Sequence, residues 1–137
     1  FFVVTMLDHE NEDGKKVAGL KEAFINPIIT DKKGSVKMEE GCLSYMDLFL
    51  NIERPSTIEV EYQDFTGTTK TTKFAGLTAR CFQHELDHMN GIVYTMHVKP
   101  LAMQMAMKKR SKLIDQRRKM QKIMINKVKE KFNVKRF

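Results

Sequence analysis

Apolar and polar residues alternate most cleanly from Ser56 to Tyr62, where Ile58, Val60 and Tyr62 fall on one side and Glu59 and Glu61 on the other. A period of two puts successive side chains on opposite faces of an extended chain, so this segment reads as a half-buried strand. Residues 64–67 read as a turn, and the β-branched run from Thr68 to Phe74 as a strand pairing back in a hairpin. Upstream, Phe1 to Leu7 reads as a buried strand and the polar stretch 8–16, with Gly14, as a loop. Lys21 to Ile29 reads as a short strand broken by a turn at Asn26-Pro27, with another turn over 31–34.

The period changes after Phe74. From Gly76 to Gly91 the spacing predicts a helix, with Gly91 placed to end it. At about 100° per residue, Leu77, Cys81, His84 and His88 share one face and Ala79, Phe82, Leu86 and Met89 the opposite one. Arg80, Gln83, Asp87 and Asn90 form a polar stripe between them. A helix apolar on two sides belongs at the centre of a fold, packed behind and facing a cavity in front. After Pro100 there is neither Gly nor Pro, and Leu101 to Phe132 reads as one long basic helix. Its intermittent apolar stripe consists of Met103, Met107, Ile114, Met120, Met124, Val128 and Phe132.

Charge sharpens this division. Residues 99–137 hold 14 of the 24 Lys and Arg but only 2 of the 17 acidic residues, a net +12 against −5 for the rest of the chain. A mildly acidic body with a basic tail suggests an anionic partner for the tail alone. The alternatives for the tail are a solvated helix packed on the body, a largely disordered segment or an amphipathic helix on a membrane surface. No apolar run approaches the length of a membrane span, and no signal-peptide pattern opens the chain. The expected location is therefore cytoplasmic or inside an organelle. The chain opens on Phe rather than Met, and the expectation is that a segment precedes it. With 137 residues, it is expected to carry one compact unit over 1–98 and a helical tail over 99–137.

The chemistry concentrates in His84-Glu85-Leu86-Asp87-His88. Two histidines four apart on a helix bring both imidazoles to one ion, and the Glu beside them reaches a water there, the pattern of metal-assisted hydrolysis. A catalytic site of this kind needs a third ligand. The candidates are Cys42, Cys81, His9, His97 and several acids. Cys81 sits one turn before His84 on the same helix, an awkward position for joining both histidines. Cys42 follows two carboxylates and Gly41, which permits close backbone approach.

Glu40-Gly41-Cys42-Leu43-Ser44 together with Gln83-His84-Glu85-Leu86-Asp87-His88-Met89-Asn90-Gly91 resembles the peptide deformylase family. So do Gly76-Leu77-Thr78-Ala79-Arg80-Cys81-Phe82 and Arg54-Pro55, and the likeness covers most of residues 1–100. The resemblance implies an α+β fold: small β-sheets around a central metal-binding helix that carries the HExxH motif, with a long C-terminal helix. It implies Cys42, His84 and His88 as metal ligands, Glu85 as catalytic acid and base, and the Leu43 backbone N–H as oxyanion donor. Glu40 and Arg54 would brace the ligand loop, and Met38, Gly41, Leu77 and Cys81 would line the pocket for a methionine side chain. The implied reaction is hydrolysis of the N-formyl group from the starting methionine of nascent proteins. The implied cofactor is one divalent ion, natively Fe²⁺, with Zn²⁺, Ni²⁺ or Co²⁺ as substitutes. The implied partners are formyl-methionyl peptides and, through the basic helix, the ribosome, with no membrane contact.

Two departures stand out. Members of the family carry a Gly-rich stretch ending in Gln before the first strand, and nothing here matches it. Tyr45 to Leu50 is also unusually apolar, which would shift substrate preference. Two other readings compete. A zinc endopeptidase needs a third ligand after His88, where only His97 stands. An RNA-binding module with a relic metal site is the non-enzymatic alternative.

Overall fold

The computed structural model describes residues 1–6, 9–10 and 13–132, apart from the side chains of residues 6, 9 and 10. The expected end of the first strand at Leu7 and part of the expected loop over 8–16 fall outside these residues, as does the His9 side chain. Eight strands and two helices are described: β1 (Phe2–Met6), β2 (His9–Glu10), β3 (Lys16–Val17), β4 (Leu20–Lys33), β5 (Val36–Cys42), β6 (Tyr45–Arg54), β7 (Thr57–Gln63), β8 (Thr69–Ala75), α1 (Gly76–Met89) and α2 (Pro100–Lys131). The strands form three antiparallel sheets: a four-stranded one in the order β1-β4-β7-β8, and two hairpins, β2-β3 and β5-β6. The fold is thus α+β, as the resemblance implies.

The alternating segment forms β7, and its apolar set is inward: Ile58, Val60 and Tyr62 are buried. With Val4 and Phe24 they meet Ala79 and Phe82 of α1. Phe24 is the hub of this core, with the rings of Phe2, Tyr62, Phe74 and Phe82 centred 4.6–5.9 Å from its own. Three of these four contacts are edge-on, the arrangement that the ring quadrupole favours.

Three expectations change. The strand over 21–29 does not stop at Asn26-Pro27. β4 runs through it for 14 residues and takes up the proline as a bulge, with Asn26 at φ 49° and bonded to the Gln63 side chain. The turn expected over 31–34 accordingly moves to Gly34-Ser35, between β4 and β5. The polar stretch 8–16 is not all loop, because His9–Glu10 pairs with Lys16–Val17.

The β5-β6 hairpin, which sequence periodicity did not reveal, has its own core. Leu48, Leu50 and Ile52 point inward at period two and pack with Tyr94, Val98, Met103 and Ala106. Tyr94 belongs to a short 3₁₀ turn, Tyr94–His97, and donates its hydroxyl to the Leu48 carbonyl. α1 therefore lies between two layers, its apolar back on the four-stranded sheet and its polar stripe against the hairpin.

The tail is helical from Pro100 to Lys131, so the disordered alternative does not hold for those residues. Its first half packs on the hairpin, and Arg110 and Arg117 bond to the Met46 carbonyl and the Asp47 carboxylate. Every described residue beyond Ile114 is exposed.

Candidate metal centre

The hairpin and the helix together build the site. β5 and β6 are joined by a tight turn at Leu43-Ser44, with Cys42 paired to Tyr45. Cys42 is thereby held at the hairpin tip facing α1. One turn of α1 separates His84 from His88, whose rings meet at 88° with centroids 4.7 Å apart. Their Nε2 atoms stand 3.1 Å apart, and Cys42 Sγ lies 3.6 Å from His88 Nε2. One ligand atom from each of the three residues lies within 4.8 Å of the others. Ligands held ~2.0–2.3 Å from a tetrahedral ion stand roughly 3.3–3.7 Å apart, so the separations of 3.1 and 3.6 Å lie close to that spacing and the trio could hold one ion.

The protonation states fit too. Glu40 is buried, and burial alone would push its carboxyl up. Hydrogen bonds from His84, Arg54 and Arg80 outweigh this and hold it at about 2. Arg54 donates Nε and Nη2 to it at 2.7 and 3.1 Å, and Arg80 donates Nη1 at 2.5 Å. An ionised carboxylate only accepts, so His84 Nδ1, 3.1 Å away, is the donor. The Glu40 bond also raises the ring to about 9, so the metal-free ring carries a proton on Nε2 at neutral pH; loss of that proton, with Nδ1–H kept on Glu40, would leave the Nε2 lone pair facing His88 and Cys42. The two thiols diverge. Burial would raise Cys42, but the nearby His84 ring and the Ser44 backbone and side chain pull it below its usual value. Burial, Glu85 and Glu40 all push Cys81 up. Cys42 is the thiol prepared to serve as a thiolate.

A cavity of about 500 Å³ opens onto the trio, lined by Gly41, Leu43, Leu77, Cys81 and Glu85 among others. Met38 does not line it. With Leu77 it lines a neighbouring cavity of about 670 Å³, and the two cavities meet at Leu77. Of the other candidate ligands, Cys81 lines the cavity without joining the cluster. His97 is bonded instead to Asp87.

Periodicity assigned no role to three polar residues of this region. Arg80 is buried and pins α1 to both hairpin strands through the Val36 and Ile52 carbonyls. Gln83, also buried, donates to the Pro55 carbonyl. Asp87 accepts from Arg54 and His97. A buried arginine spaced i, i+3 and i+7 with Gln83 and Asp87 was the available signal, but which layer would cover that stripe is a tertiary fact.

This geometry has close counterparts. A sequence model of the polypeptide deformylase family matches residues 1–104. A peptide deformylase of Pelagibacter ubique (strain HTCC1062) is 40% identical over 111 residues, which cover 80% of this chain and 63% of that one. One from Wolbachia sp. subsp. Brugia malayi is 45% identical over 93 residues, covering 67% and 52%. The chain thus spans between half and two thirds of the length of these curated relatives. Among solved structures, a Synechococcus elongatus peptide deformylase in complex with actinonin superposes with a TM-score of 0.61 at 36% identity, over 66% of this chain and 51% of that one. A peptide deformylase from Legionella pneumophila gives 0.62 at 33% identity, over 72% and 58%. With the family match extending across the hairpin, the helix and the ligand trio that they bring together, the chain belongs to the polypeptide deformylase family.

Proposed function

We propose that this chain carries the catalytic centre of a peptide deformylase, removing the formyl group from N-terminal methionine with release of formate. The observation that carries this reading is the convergence of Cys42, His84 and His88 beside Glu85 on one cavity. In this reading residues 1–98 are the catalytic unit and 99–137 an accessory helix and tail. Cys42, His84 and His88 hold one divalent ion, which supplies the positive charge that makes water a nucleophile at neutral pH. A thiolate with two imidazoles suits Fe²⁺ or Zn²⁺, with Fe²⁺ the proposed native ion.

The chain's own groups do the rest. Glu85 takes a proton from the attacking water and returns it to the leaving amine nitrogen. The Leu43 N–H, at the hairpin tip, donates to the carbonyl oxygen as negative charge develops there. Glu40, gripped by Arg54 and Arg80, keeps His84 in the tautomer whose Nε2 can act as a ligand. Gly41, Leu77 and Cys81 form the wall for the methionine side chain, while Met38 lines the adjoining cavity that shares Leu77. The endopeptidase alternative loses its third ligand, since His97 is bonded to Asp87.

Formate release from a formyl-methionyl tripeptide, with protein prepared anaerobically in Fe²⁺, tests the reading. Turnover should fall by about 10²–10⁴-fold in Glu85→Gln. Cleavage of internal peptide bonds in place of formate release would overturn it.

The accessory helix extends the proposal. Its exposed half carries Arg118, Lys119, Lys122, Lys127, Lys129 and Lys131, a surface suited to ribosomal RNA phosphates. That contact would place the site beside emerging nascent chains, in the cytoplasm or an organelle interior.

A further inference from the structure

Glu40 is not the outer end of the network that orients His84. Arg54 uses one edge of its guanidinium, Nε and Nη2, on Glu40. Its remaining nitrogen, Nη1, donates to Asp87 Oδ2 at 2.7 Å. The same Oδ2 accepts from His97 Nε2, also at 2.7 Å. An ionised carboxylate only accepts, so His97 must carry its proton on Nε2. Four hydrogen bonds thus run from His97 through Asp87, Arg54 and Glu40 to His84 Nδ1. The line crosses from the 3₁₀ turn to α1, then to β6 and β5, and back to α1.

The ends of this line differ. Arg54 and Glu40 are buried, with 6% and 5% of their side chains exposed, whereas His97 is 33% exposed. The buried members hold one another from two sides. Among the described residues, the side chains donating to the Asp87 carboxylate, itself 18% exposed, are those of Arg54 and His97. Without His97 the Asp87 carboxylate would keep one strong donor and gain freedom to rotate toward water. Arg54 would then lose a fixed anchor for Nη1, and its fork on Glu40 would loosen. A bidentate guanidinium–carboxylate fork is geometrically demanding, so a small rotation at one edge is felt at the other.

We propose that His97 is a positioning residue for the metal centre, acting through Asp87, Arg54 and Glu40 to fix the ring of His84. This rests on the reading of Cys42, His84 and His88 as metal ligands. It gives a task to a histidine that the sequence offered only as a ligand candidate. His97 touches neither substrate nor ion in this role.

The test is Zn²⁺ affinity by chelator competition on the purified chain, with thermal melting of the metal-free protein alongside. Direct partners of metal-bound histidines are worth about 10–100-fold in affinity, and a residue further out should be worth less, on the order of 3- to 10-fold. His97→Ala should weaken Zn²⁺ binding by that factor. His97→Phe, which keeps the ring volume but has no donor, should weaken it equally. His97→Gln, which keeps a donor nitrogen, should restore it to within about twofold. The melting temperature of metal-free His97→Phe should match that of the parent chain. Unchanged affinity in His97→Phe, or failure of His97→Gln to restore it, would overturn the proposal. So would a loss of affinity fully explained by unfolding of the metal-free variants. The measurement uses no formylated substrate, so a protein that binds metal normally but releases no formate would count against the deformylase reading alone.

Discussion

At the scale of single residues, Glu40 and His84 are two halves of one interaction. The Glu40 bond raises His84 to about 9 against the opposing effect of burial, while Glu40 itself sits at about 2. The signs differ. A carboxyl lowered from 4.5 contributes stability that is present above pH 4.5 and lost as pH falls through 2. A histidine raised from 6.5 contributes stability that is present below pH 6.5 and lost as pH rises through 9. Both contributions are whole only between pH 4.5 and 6.5. For the metal-free protein, the stability difference between the parent chain and Glu40→Gln should peak in that window, on the order of 3 kcal/mol. It should shrink toward pH 2 and toward pH 9. Urea melts across pH on both proteins would show this, and a difference independent of pH would mean that the pair is not ionised as described. Taking the difference largely cancels other titrations, such as that of Asp64, whose turn lies apart from the site.

At the scale of elements, local pattern served where one face alone was buried. The alternation at Ile58, Val60 and Tyr62 and the apolar back of α1 at Ala79 and Phe82 both became core. Pattern failed where a segment met two layers. Leu48, Leu50 and Ile52 do alternate, but Phe49 lies between them and continues the apolar run, so β6 was not visible as a strand. The ring of Phe49 instead lies across Gly41, where a Cβ would stand 2.9 Å from it, so a side chain at 41 would have to displace that ring. Arg80 shows the same limit on α1. A polar stripe on an isolated helix reads as a boundary with water, yet the hairpin covers it. Arg80 is 4% exposed and donates to two backbone carbonyls besides Glu40. Arg80→Met keeps the volume but orphans both carbonyls and removes one of the charges holding Glu40. The expected cost is about 3–5 kcal/mol, read from denaturant midpoints. A cost below about 1 kcal/mol would mean that the hairpin is held by its apolar core alone.

At the scale of the whole molecule, the charge asymmetry legible in the sequence falls on one element, α2, and the two halves of that helix differ in what they touch. The basic segment starts at 99, yet its first half belongs to the hairpin layer: Met103 and Ala106 pack on that core, and Arg117 still reaches Asp47. Asp47 sits at φ 61° with only 12% of its side chain exposed, and Arg110 holds the carbonyl just before it. The segment separable from the body therefore begins after Arg118. Beyond it the described residues are all exposed, and Met120, Met124, Val128 and Phe132 continue the apolar stripe with nothing in the chain described as covering it. A chain ending at Arg118 should keep its melting temperature within about 2 °C, because exposed residues away from special contacts contribute little. It should also keep the Zn²⁺ affinity of the parent chain. If the helix tip contacts ribosomal RNA, the truncated chain should co-sediment with ribosomes more weakly. Each phosphate contact removed should lower the slope of log affinity against log salt by roughly 0.7–0.9. The parent chain should lose binding steeply as salt rises and the truncated chain only shallowly. Binding that falls by the same factor at every salt concentration would assign the contact to the apolar stripe, and binding unchanged by truncation would return it to the body.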